Sequence, residues 1–190
     1  ERMADAVQQM LENAGMTLEQ CEGIGIGSPG TIDAKQGVIL YSNNFGWENV
    51  PIVEELKKHL DTRIEIANDA DAAALGEVCA GAAEGAENAV LLTLGTGVGG
   101  GVILDKKIFR GAMPGGCELG HLSIRYDGIR CTCGRKGCLE AYASASALLR
   151  IAREKSAEHP ESIMNEMCGN DLEQMNGKIP FDAAKAGDEA

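Results

Sequence analysis

One histidine and three cysteines fall in order along a single polar stretch: His121, Cys131, Cys133 and Cys138. The cysteines are spaced Cys-x-Cys-x4-Cys, with Gly134 and Gly137 inside the knuckle. Imidazole and thiolate are the ligands zinc prefers, and four of them close a tetrahedral structural site. The bland alternative is an unrelated histidine and three packing thiols, but such thiols have no reason to cluster around glycines. Two carboxylates bracket the set, Glu118 three residues before the histidine and Glu140 two after the last cysteine. A metal that folds this loop would bring both acids near His121.

A second candidate lies earlier. Ile64-Glu65-Ile66 reads as a strand, it runs into Asn68-Asp69, and residues 70–80 are mostly small helix formers. Asp69 therefore sits where a strand gives way to a helix, a position at which an aspartate taken alone reads as an N-cap. A third is Gly95-Thr96-Gly97-Val98-Gly99-Gly100-Gly101, preceded by the apolar strand Val90–Leu94. It satisfies G-x-G-x-x-G, but the dinucleotide fingerprint needs a helix next. Here Val102-Ile103-Leu104, Asp105-Lys106-Lys107 and Ile108-Phe109 read as strand, turn, strand. A tight glycine hairpin remains, whose backbone N–H groups and Thr96 hydroxyl could meet phosphate oxygens, or which is a plain connection.

Other elements must carry these groups. Met3, Ala6, Val7, Met10, Leu11 and Ala14 recur at helical spacing before Gly15. Gly23–Gly27 alternates as a strand and Ser28-Pro29-Gly30 ends it in a turn. Val38–Leu40 is a short strand, and Asn43–Trp47 is a loop, either an aromatic plug or a set of amides for hydroxyls. Pro51 opens a helix through Val53, Leu56 and Leu60. Residues 81–88 are the best boundary between two lobes, 1–85 and 86–190. A helix is expected over 139–153, and the polar remainder is expected to hold helical fragments but no chemistry that can be read.

The 190 residues have a formal net charge of -12, which argues against a nucleic-acid or anionic-membrane partner. No apolar run is long enough for a transmembrane helix. Seven cysteines, an odd number, fit a reducing cytoplasm better than a disulfide framework.

Taken together, Gly27-Ser28-Pro29-Gly30, Asn44-Phe45-Gly46-Trp47, Asn68-Asp69, Leu94–Gly101, Glu118-Leu119-Gly120-His121 and Cys131 through Glu140 resemble the ROK family of sugar kinases and repressors, most closely its bacterial glucokinases. The resemblance implies an α/β, actin-like (ribonuclease-H-like) ATPase fold with two lobes and a sugar in the cleft. It implies ATP- and magnesium-dependent phosphorylation of a hexose, most closely glucose to glucose 6-phosphate, in a protein stabilised by structural zinc. By the same resemblance Asp69 is the base, and Gly30, Asn44, Asn68, Glu118, His121 and Glu140 hold the sugar. Thr96 and Gly97 then lie by the phosphates, and His121 both ligates zinc and borders the sugar. The alternative within the family is the sensor domain of a sugar-responsive repressor. The family's first phosphate loop and its later adenosine segment have no counterpart here, so the chain is expected to be incomplete at both ends. Alone it is expected to be inactive and, with an unpaired sheet edge, to self-associate as a homo-oligomer.

Overall fold

The computed structural model describes residues 1–113, 115 and 117–190. They fall into two compact units, one of residues 1–91 and 100–117 and one of residues 92–99 and 118–190. Residues 81–88 lie within the first unit.

In the first unit, α1 (Arg2–Ala14) is amphipathic and stops where Gly15 turns left-handed at φ 63°. β1 (Ile24–Ser28) is followed by three antiparallel strands, β2 (Thr31–Asp33), β3 (Val38–Ser42) and β4 (Trp47–Val50). Next come α2 (Ile52–Lys57), β5 (Ile64–Asn68) and α3 (Asp69–Ala80). β1 and β5 pair in parallel, with Ile24 opposite Ile64 and Ser28 opposite Asn68. Ile32, Ile39, Ile52, Leu56, Leu60 and Ile66 form the core against which α1 and both sheets pack.

β6 (Ala89–Leu94), β7 (Val98–Leu104) and β8 (Lys107–Ile108) form a three-stranded sheet in that order. The glycine run is thus a connection between strands, and the residues after it are strand, as the rejection of a dinucleotide fingerprint requires. Ile103 on β7 is completely buried against Ala74 and Val78 of α3. The approach is close because Gly101 has no side chain. A Cβ there would lie 2.6 Å from the Ala74 Cβ and 2.8 Å from the Ala70 carbonyl oxygen.

The second unit holds α4 (Glu140–Ala143), α5 (Ala145–Glu158), α6 (Ile163–Met167) and α7 (Ile179–Lys185). Ala152, Met164, Cys168, Met175, Ile179 and Ala183 give it a core of its own.

Three expectations need correction. Trp47 opens β4 instead of closing a loop, because residues 47–50 complete the edge of a sheet whose middle strand is β3. Its ring packs against that of Phe45 in a tilted arrangement, with centroids 4.9 Å apart. The helix after Pro51 stops at Lys57, and Leu60 reaches the core from the following turn. The helix expected over 139–153 is two helices, because Ser144 is extended and caps the second by accepting from the Ala147 N–H at 3.0 Å. The polar C-terminal stretch holds helical fragments as expected, and their sparse apolar residues converge. Among the described residues no helix is long and apolar enough to cross a membrane.

Replacing Gly101 by alanine is expected to push α3 off β7 and lower stability by about 1–3 kcal/mol. Urea unfolding of the longer protein that carries this chain measures it; an unchanged midpoint contradicts the packing argument.

Candidate functional site

The end of β5 is held by one side chain. Asn68 Oδ1 accepts from the Ala70 N–H at 2.9 Å and the Asp71 N–H at 3.2 Å, so Asn68, and not Asp69, is the N-cap of α3. Its Nδ2 donates to the Gly30 carbonyl at 3.1 Å, tying the turn after β1 to the start of α3. Asn68 then has one N–H left for anything else. Gly30 sits at φ 108°, and a Cβ there would overlap the Tyr41 carbonyl. Asp69 is the first residue of α3 and is exposed; among the described residues its Oδ1 meets only the adjacent Ala70 N–H, at 2.9 Å. Released from capping, the carboxylate is available to solvent at the positive end of a twelve-residue helix. Asn44 is exposed on the turn between β3 and β4, with no hydrogen-bond partner for its side chain among the described residues. One ion pair went unforeseen: Arg110 Nε donates to Asp71 Oδ2 at 3.1 Å, with the Asp71 side chain on α3 nearly buried.

In the second unit the four predicted metal ligands come together, with all candidate ligand atoms within 4.8 Å of one another. His121 Nδ1 lies 3.6 Å from Cys131 Sγ, and Cys133 Sγ lies 3.6 Å from Cys138 Sγ. In a zinc tetrahedron with bonds of about 2.3 Å to sulfur, ligand atoms lie about 3.8 Å apart, so the donor set and spacing fit. A hydrogen bond from the backbone of Arg135 lowers the Cys133 thiol to about 7, while burial raises that of Cys138 to about 11. The loop folds this tightly because Gly137 lies where any Cβ would strike the Arg125 carbonyl, at φ 74°. Ser123 and Cys138 form an antiparallel bridge that closes it. His121 ends a short 3-10 turn, Leu119–His121, whose first carbonyl acceptor is that of the exposed Glu118, 3.0 Å from the His121 nitrogen.

The glycine turn lies in the same unit. Glu140 connects the two features: Oε2 accepts from the Val98 N–H at 3.0 Å, and Oε1 accepts from the Thr132 hydroxyl at 3.4 Å and lies 3.7 Å from Cys131 Sγ. A Cβ at Gly97 would meet Glu140 Oε2 and displace that carboxylate from its place. The Ala145 N–H donates to the Gly95 carbonyl at 2.8 Å and the Ser146 hydroxyl to the Thr96 carbonyl at 2.8 Å. Sequence reasoning passed over Thr132, Ala145 and Ser146. Ser-Ala-Ser ahead of an apolar run signals a helix cap, which Ser144 is, and nothing in it marks the second serine.

The cluster predicts one zinc per chain. Cys138→Ser is expected to bring metal content well below one per chain and to loosen residues 122–138 before the rest unfolds. Elemental analysis with hydrogen exchange checks both, and a well-folded protein without metal overturns the site.

The chain matches the ROK family over residues 1–189. It is 43% identical over 171 residues to the glucokinase of Thermotoga maritima, covering 90% of this chain and 54% of that protein. It is 37% identical over 150 residues to the xylose repressor of Caldicellulosiruptor bescii, covering 79% of this chain and 38% of that one. The structure superimposes on a ROK family glucokinase from Streptomyces griseus in complex with glucose and AMPPNP. There the TM-score is 0.79 and the identity 33%, over 98% of this chain and 60% of the other. The chain spans about half the length of the glucokinases it matches. The fold is the α/β, actin-like ATPase fold of these sugar kinases, and the chain belongs to the ROK family.

Proposed function

We propose that this chain is part of a hexose kinase that transfers the terminal phosphoryl group of ATP to a sugar, with glucose as the first candidate. The observation that carries the reading is Asp69: an exposed carboxylate at the end of a strand, freed from capping by its neighbour Asn68. The similarity to the Thermotoga maritima glucokinase supports the same assignment.

A sugar hydroxyl is a poor nucleophile. Asp69 is the base that takes its proton as the oxygen attacks phosphorus, a role that contributes about 10²–10⁴-fold. Asn68 adds one N–H donor beside it. Glu118, His121 and Glu140 accept from or donate to further hydroxyls, and Gly30 and Asn44 contribute at the edge of the sugar. A site that bonds each hydroxyl rejects sugars lacking it. His121 Nδ1 faces the cysteine sulfurs, which leaves Nε2 as the nitrogen for substrate. Zinc held by His121, Cys131, Cys133 and Cys138 serves as a structural cross-link of the loop. The N–H groups of Thr96 and Gly97 bind phosphate oxygens, and ATP arrives with magnesium that counters its charge.

The rival reading is the sugar-sensing domain of a transcriptional repressor, favoured by the identity to the xylose repressor. ATP turnover with a panel of hexoses, measured on the longer protein, separates the two: turnover with any one sugar supports the kinase, and sugar binding without turnover supports the sensor.

Asp69→Asn is expected to lower turnover by about 10²–10⁴-fold and leave sugar affinity within a few fold. Helix capping is retained because Asn68 supplies it, so the thermal midpoint should hardly move. Turnover close to wild type would remove Asp69 as the base.

A further inference from the structure

The glycine turn is braced at every peptide plane. No peptide bond in the described residues is cis, so in each plane the carbonyl and the following N–H point in opposite directions. The plane joining Gly95 to Thr96 is held at its carbonyl by the Ala145 N–H. The next, joining Thr96 to Gly97, is held at its carbonyl by the Ser146 hydroxyl at 2.8 Å. The third is held at both ends, its carbonyl accepting from the Gly95 N–H at 3.0 Å and its Val98 N–H donating to Glu140 Oε2 at 3.0 Å. Two N–H groups remain without a protein acceptor among the described residues, those of Thr96 and Gly97. Both point away from the start of α5, because their partner carbonyls point towards it.

From this we infer that Ser146 is a positioning residue for nucleotide phosphate: its hydroxyl aims the Gly97 amide, beside the Thr96 amide aimed by the Ala145 N–H, as a paired donor for phosphate oxygens, while Glu140 fixes the adjoining Gly97–Val98 plane. The inference rests on the kinase reading for the identity of the ligand, and on the geometry alone for the brace. Paired backbone donors bind an anion well only if they are already aimed, since reorienting a peptide plane at binding subtracts from affinity. Ser146 orients one plane through a solvent-exposed hydrogen bond. Glu140 fixes the adjoining Val98 plane from a half-buried position, and its bond from the Thr132 hydroxyl, next to Cys131, carries the brace back to the metal-binding loop. A loosened cluster should therefore reach nucleotide affinity as well as fold.

The test uses the longer protein with the non-hydrolysable triphosphate AMPPNP and magnesium, with glucose measured separately by calorimetry. Ser146→Ala is expected to weaken AMPPNP about three- to ten-fold, the scale of one lost hydrogen bond, with glucose affinity and thermal midpoint unchanged. Ser146→Thr keeps the hydroxyl and should restore wild-type affinity. The amide resonances of Thr96 and Gly97 should shift with AMPPNP in the wild type, and less at equal saturation in Ser146→Ala. Equal loss of both ligands, no loss of AMPPNP affinity, or a wild type that binds no AMPPNP overturns the inference. A protein that gives the expected AMPPNP pattern but phosphorylates no sugar removes the kinase reading and leaves the brace in place.

Discussion

The first unit depends on the Asn68 amide. Its oxygen has two lone pairs and both are taken by the first N–H groups of α3; one of its two N–H groups is taken by the Gly30 carbonyl. Three segments, the turn after β1, the end of β5 and the start of α3, therefore meet at one planar group with defined donors and acceptors. An aspartate there could cap the helix but has no N–H for Gly30. A serine would cap but would be too short to serve both ends. The choice of asparagine has a chemical consequence one residue later. With the N-cap position assigned to Asn68, the Asp69 carboxylate meets the helix through Oδ1 alone, at the Ala70 N–H, and its other oxygen can remain an acceptor in water.

In the second unit the corresponding organiser is the cluster of His121 with three thiols. Its loop has little apolar surface to bury: Leu122, Ile124, Tyr126 and Ile129 are all exposed. Hydrophobic burial therefore does little to order it. What holds it is backbone pairing, as in the Ser123–Cys138 bridge and the Cys131 N–H to Arg135 carbonyl bond at 2.8 Å, together with the ligand set. The adjoining helices α5, α6 and α7 pack through a real apolar core instead. The two halves of this unit thus owe their order to different physics, and Glu140 stands where they join.

Much of this was legible in the sequence where the signal is local. Ligand spacing around glycines located the cluster, an apolar strand running into small helix formers located Asp69, and strand after glycine excluded the dinucleotide reading. What was not legible depends on contacts distant in sequence. β4 exists because β3 offers it a partner, which Trp47-Glu48-Asn49-Val50 does not announce. The competition between Asn68 and Asp69 for the cap is settled by the Gly30 carbonyl, thirty-eight residues away. Ser146 acts on a carbonyl fifty residues earlier. The C-terminal core was missed because its residues, such as Met164, Cys168 and Met175, are scattered among polar ones and converge only once these short helices pack together.

The charge balance constrains how such a chain could meet a triphosphate. The formal net charge is -12, and the segment Leu92–Gly99 contains neither lysine nor arginine. The donors offered by the turn are therefore neutral amides, which give direction and distance but little long-range attraction. Glu140 Oε2 lies against Gly97 and would repel a phosphate if its charge were unshared. The Val98 N–H and the Thr132 hydroxyl each bond one of its oxygens and draw that charge away from the turn. A phosphate reaching Thr96 and Gly97 must still bring its own counter-charge, because nothing in the turn supplies it. Neutral donors also favour no particular net charge, so they can hold a phosphoryl group while charge moves from the leaving oxygen to the incoming one. Such donors complement the cations that phosphoryl transfer needs and do not replace them, and they contribute only while the amides stay aimed.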